Sequence, residues 1–158
     1  MPSFNTSRPV KHSPEDMFDL VADVDAYPQF VPLCQALIVR RRSVDAMNRD
    51  ILVADMTVAY KLLRETFASR VTLDRAALKI DVEYLDGPFS HLKNQWTFLP
   101  DDNGGCQVGF FIDYQFRSRT LALVMGAVFD TAFRRFADAF ERRADQIYGR
   151  RRLEPAAV

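Results

Sequence analysis

His12 and His91 are the only two histidines in a chain of 158 residues. They are the first place to look for acid–base chemistry, because imidazole titrates near neutral pH without help from its surroundings. Each lies at the end of a segment that reads as a strand, and neither has neighbours at a spacing that makes a triad. A surface or capping role is the expectation for both, and no catalytic residue is expected. Cys34 and Cys106 are far apart and show no C-x-x-C spacing, so neither a metal site nor a redox motif is expected. They read as reduced thiols of a cytoplasmic protein. Glu65 is the best-placed carboxylate, because its parity in "RETFASRV" matches that of Phe67 and Val71 on the inward face of a strand. Buried, it would donate a hydrogen bond from a protonated carboxyl to a carbonyl oxygen of a ligand; at a strand end, it would pair with an arginine.

The elements that must position these residues follow from periodicity. Residues 3 to 10 can form a first strand. Ser13, Pro14, Glu15 and Asp16 then make a helix start: an N-cap hydroxyl, a proline at the first turn and acids at the positive end of the dipole. Met17, Leu20, Val21 and Val24 follow at helical spacing. "DAYPQFVP" breaks the pattern with two prolines around a short helical turn, for which Asp25 is the expected cap. From about residue 35 to 116 six segments alternate apolar and polar residues, joined by the turn signals "DAMN", "DRAA", "DGPF" and "DDNGG". They read as an antiparallel meander. In "DGPF", Gly87 and Pro88 shape the turn, and Phe89 sits in the connection, where it either packs back on the core or forms the lip of a pocket.

After Arg119 the period becomes helical as far as Gly149, with Leu121, Met125, Val128, Phe129, Ala132, Phe133, Phe136 and Phe140 along one side. The expectation is one α+β domain over residues 1–149 with a disordered tail at 150–158. Its fold is a helix grip, a curved antiparallel sheet wrapped around a long C-terminal helix, with two short helices after the first strand.

Composition narrows the function. Thirteen Phe against five Tyr and one Trp, in a chain that is 48% hydrophobic, furnish a greasy interior with few hydrogen-bonding obligations. Formal charge is zero, so no global field draws the chain to DNA. Between Arg117 and Arg152, nine Arg face four acids, a basic stripe that reads as a solvated helix face, or as a contact for lipid headgroups or RNA phosphates. No apolar run is long enough to span a bilayer, so membrane contact is expected to be peripheral.

The order of elements, with "MFDLVADVDAYPQFVPLCQ", "RETFASRVTL" and "LDGPFSHLKNQWTF", resembles the coenzyme Q-binding branch of the START-like superfamily over nearly the whole chain. The matching residues are Met17, Phe18, Leu20, Val21 and Asp23, then Tyr27, Pro28, Phe30, Pro32 and Cys34, then Gly87, Pro88, Phe89, Leu92 and Trp96. The resemblance implies a non-catalytic protein that holds ubiquinone or its isoprenoid tail between sheet and helix and supports respiratory electron transport. The same motifs occur in ribosome-association toxins that block the joining of ribosomal subunits, and the wider superfamily includes polyketide cyclases. On the first reading the cavity is expected to be lined by Phe67, Val82, Tyr84, Trp96, Phe110, Met125, Phe129 and Phe136. Tyr27, Phe30, Val31 and Phe89 are the expected gate, and no cofactor beyond the bound quinone is expected.

Overall fold

The computed structural model describes residues 3–156, with side chains described as far as Gly149. β1 (Ser3–Val10) leads into α1 (Pro14–Ala22) and a short 3-10 helix (Val24–Gln29). The meander follows: β2 (Cys34–Val44), β3 (Asp50–Tyr60), β4 (Leu63–Asp74), β5 (Lys79–Asp86), β6 (Phe89–Pro100) and β7 (Cys106–Phe116). α2 (Arg119–Ala156) closes the described chain. The strands form a single seven-stranded sheet in the order β1-β7-β6-β5-β4-β3-β2, and every pairing is antiparallel. The expected helix grip is the fold observed.

α1 starts as its sequence dictates. The Ser13 hydroxyl accepts the Asp16 amide at 3.1 Å, Pro14 occupies the first turn, and Met17, Phe18, Leu20 and Val21 are buried. The short helix after it is not capped by Asp25. Asp23 stands at its N-cap position without a side-chain bond, and Asp25 instead accepts from Arg42 on β2 at 2.7 Å. Register shifts in β2, between Ala68 and Ser69 of β4 opposite β5, and between Phe89 and His91 of β6, mark irregularities of the kind that bend and twist a strand. The sheet thereby curls over α2.

α2 does not stop at Gly149. That residue lacks the positive φ that a glycine helix stop uses, and the helix backbone runs on to Ala156. The tail expected at 150–158 is helical as far as its backbone is described, and residues 157 and 158 lie outside the described residues. Phe129, Ala132, Phe133, Ala137, Phe140 and Ala144 turn inward from α2 and close the core against the concave face of the sheet.

Candidate ligand cavity

Between the sheet and α2 lies a chamber of about 110 Å³. Its floor is built from inward-facing strand positions: Met56 and Val58 on β3, Phe67, Ser69 and Val71 on β4, Ile80 and Val82 on β5, Asn94 and Trp96 on β6, Phe110 and Ile112 on β7. Its roof is Phe129, Phe133, Phe136 and Phe140 of α2, and Val24, Tyr27 and Val31 close one side. The rings meet edge to face around the space: Trp96 on Phe140 at 4.9 Å, Tyr114 on Phe133 at 5.1 Å, Phe133 on Phe136 at 5.2 Å. Such contacts add to the area buried and fix ring orientation. For scale, an apolar protein cavity of about 150 Å³ takes up benzene. The chamber as it stands is smaller than that, so a ligand the size of a prenylated quinone requires the Phe roof to shift.

Of the residues expected to line it, Phe67, Val82, Trp96, Phe110, Phe129 and Phe136 do so. Tyr84 and Met125 do not. The Tyr84 hydroxyl accepts the Phe89 amide at 3.0 Å, and Met125 is fully buried in the packing between helix and sheet. Among the expected gate residues, Tyr27, Val31 and Phe89 line the chamber. Phe30 stands just outside with its ring edge on Phe140 at 5.0 Å and the Arg143 guanidinium over its face at 5.2 Å.

Phe89 is not a loop-tip residue. It opens β6 opposite Phe116, its exposure is 0%, and its ring packs on Phe67, Tyr84, Tyr114, Phe116 and Phe129 at 5.0–5.9 Å. Nor do the two gate segments share an end of α2. Phe89 meets Phe129, whereas Tyr27 and Phe30 meet Phe140; eleven residues of helix separate the two by about 16 Å.

Glu65 has the inward parity expected of it, opposite Val58, but it is half-buried, outside the chamber lining and unpaired with any arginine among the described residues. His12 is no surface residue: only 2% exposed, it places Nε2 at 2.7 Å from Asp145 of α2 and its ring against Tyr148. His91 faces Asp113 on β7 at 3.0 Å. Neither histidine lines the chamber. Burial pushes the Cys34 thiol up to about 11 and, with a smaller contribution from Asp101 and then Glu15, the Cys106 thiol up to about 12. Both are protonated at neutral pH and inert as nucleophiles. Burial likewise raises the Tyr27 phenol far above its ordinary value; the phenol donates to the Val21 carbonyl and stays neutral. Burial, followed by the Asp130 charge, moves Tyr114 up to about 12.

Two polar side chains in the chamber escaped the sequence reading, Ser69 and Asn94. Ser69 alternates in phase with Phe67 and Val71, and Asn94 with Leu92 and Trp96. A polar residue at a parity otherwise given to apolar ones was the available signal.

A curled antiparallel sheet closed by a long helix over an apolar chamber defines a helix-grip protein of the START-like class. The chain belongs to the family described as Polyketide cyclase / dehydrase and lipid transport, which matches residues 10–141. It is 33% identical over 93% of its length to a Ribosome association toxin RatA of Rickettsia prowazekii, of which it covers 99%. It is 28% identical over 98% of its length to a Coenzyme Q-binding protein COQ10 homolog B, mitochondrial, of Xenopus laevis, of which it covers 63%. The solution structure of an 18 kDa protein of Caulobacter crescentus superposes with a TM-score of 0.76 at 36% identity, over 94% of this chain and 99% of that one.

Proposed function

We propose that the protein binds ubiquinone or a related isoprenoid lipid in this chamber and carries out no bond-making step on it, serving respiratory electron transport as a quinone chaperone. The observation that carries the reading is the chamber itself. Apart from Ser69 and Asn94 its walls are aromatic and aliphatic, its only titratable side chain among the described residues is the neutral Tyr27 phenol, and both histidines are tied to carboxylates elsewhere. Such a wall desolvates a lipid and offers no general acid or base near neutral pH. The name of the Xenopus relative, a coenzyme Q-binding protein, supports the same ligand class. Access past Tyr27, Phe30 and Val31 would let a tail enter beside the C-terminal half of α2. No helix among the described residues is long and apolar enough to cross a membrane, and on this reading lipid exchange proceeds through peripheral contact with the bilayer.

The name of the Rickettsia relative supports a second reading, a regulator that binds a ribosomal subunit and blocks joining. The outer face of α2 presents Arg134, Arg135 and Arg142 to solvent, a surface on which phosphates could dock.

Native mass spectrometry of the gently extracted protein separates the two. A bound species with the mass of a quinone supports the carrier. A ligand-free protein that sediments with one ribosomal subunit in cell extract, and is released from it by salt, supports the regulator and overturns the carrier.

A further inference from the structure

The chamber floor carries a polar group that protein packing does not explain. Ser69 is 7% exposed, it lines the chamber, and its hydroxyl has no hydrogen-bond partner among the described residues. A buried hydroxyl without a partner is costly, and an alanine would fill the same place on β4 without that cost. Asn94, also in the lining, spends one N–H on the Phe111 carbonyl at 2.7 Å. Its carboxamide keeps a second N–H and an oxygen, neither engaged by another described residue.

The register fixes how the two are placed. Val71, Val82, Asn94 and Ile112 form one row across β4, β5, β6 and β7, and Ser69 lies one same-face step along β4 from Val71. Two strand spacings and one such step put their backbones roughly 12 Å apart before the curl of the sheet draws the side chains together. They are therefore too far apart to grip a single atom. Both line the chamber from the sheet side, across from Phe133 and Phe136 of the α2 roof.

We infer that Ser69 and Asn94 form the head-group subsite of the chamber, each donating a hydrogen bond to a different oxygen of a ligand whose remaining surface is apolar. This rests on the carrier reading and sharpens it: the ligand is an oxygenated ring or comparable head bearing at least two acceptor oxygens, and a plain hydrocarbon does not satisfy the site. The head lies on the sheet floor between the two side chains, in the space made when the Phe roof shifts, and the tail leaves along the Phe stripe.

The test compares two ligands of matched tail, decylubiquinone and decylbenzene, on the wild-type protein and on Ser69→Ala, Asn94→Leu and the double variant. Trp96, the single tryptophan, lines the chamber and reports quinone binding by quenching; decylbenzene is measured by the quenching it relieves. Each single variant is expected to weaken decylubiquinone by about five- to ten-fold, the scale of one hydrogen bond, and the double variant by the product of the two. Decylbenzene is expected to bind all four proteins within two-fold. Ser69→Ala is also expected to melt no lower than wild type without ligand, because it deletes an unsatisfied group. Equal changes for both ligands, or unchanged quinone affinity in Ser69→Ala, overturn the subsite while leaving an apolar carrier in place. Failure of wild type to take up quinone or displace it with decylbenzene overturns the carrier reading and the subsite together.

Discussion

The two halves of α2 are fastened to the sheet by different physics. The N-terminal half is held by rings: Phe129 packs on Phe89, Phe116 and Tyr114, with Phe133 beside it and Met125 sealed beneath. The C-terminal half has rings too, Tyr27, Phe30 and Trp96 around Phe140, and adds polar clasps. Arg8 of β1 reaches Asp138 at 3.3 Å and Glu141 at 3.1 Å, His12 meets Asp145, and Arg143 donates to Gln29 at 2.8 Å. Burial of the rings loses its worth only when water enters, whereas a half-exposed ion pair exchanges for water at little cost. On the carrier reading, the C-terminal end is the expected place of opening and the Phe89 end the expected anchor.

The largest test of that difference is Phe89→Ala. A fully buried ring in contact with five others leaves a cavity its neighbours cannot collapse, and the expected loss is about 3–5 kcal/mol in a urea titration. A loss below 1 kcal/mol would mean that the anchor is not an anchor.

Gly87→Ala strikes the same end through the backbone. Gly87 has φ +145°, and a Cβ there would fall 2.5 Å from the Phe67 Cβ and 2.9 Å from its Cα, with no flexible tip to move aside. Strain at such a φ, with the displaced β4 added, predicts a loss of roughly 2–3 kcal/mol. The same denaturation measurement checks it, and a neutral result would show that the turn relaxes freely.

These two residues also mark where the sequence stops being legible. Alternation alone places Trp96, Val82, Phe67 and Phe110 on one face, and they are found there, because a strand with one buried face has only two choices. By the same rule Phe89, three residues before Leu92, belongs on the opposite face. The register shift between Phe89 and His91 inserts Ser90 as an extra residue and turns Phe89 inward. Nothing local announces that bulge. It is tied to the approach of Gly87 to Phe67, a contact between β4 and the turn that only the assembled sheet defines. His12 was hidden for a similar reason: its partner Asp145 lies 133 residues away. Ser69 and Asn94, by contrast, could be placed from parity alone, and what the sequence did not display was that the Ser69 hydroxyl has no partner among the described residues.

At the other end of α2, His12→Leu should cost less. The mutation keeps an apolar body in the buried site and deletes the bond to Asp145, whose side chain is 63% exposed and recovers its hydration. About 1–2 kcal/mol is expected, the range of one charge-assisted hydrogen bond without a stranded buried partner. Hydrogen exchange should show the loss concentrated in the amides of α2 beyond Phe140; protection lost equally along the helix would erase the distinction between its halves.

Phe30→Ala should change stability least and ligand exchange most. The ring is half-buried and outside the chamber lining, so its removal forfeits only part of a phenylalanine's transfer energy, about 1 kcal/mol. What it takes away is the edge contact with Phe140 and the platform under Arg143, both of which hold the short 3-10 helix against α2. If lipid passes there, the barrier to opening falls by a similar amount. Release of quinone from preloaded protein into excess vesicles should then speed up by a factor on the order of five to ten. Stopped-flow recovery of Trp96 fluorescence measures it directly. An unchanged release rate in a stably folded Phe30→Ala protein would place the opening elsewhere. Faster release from a conservative Phe116→Leu variant, which loosens the ring cluster at the Phe89 end, would then place it at the end assigned here to the anchor.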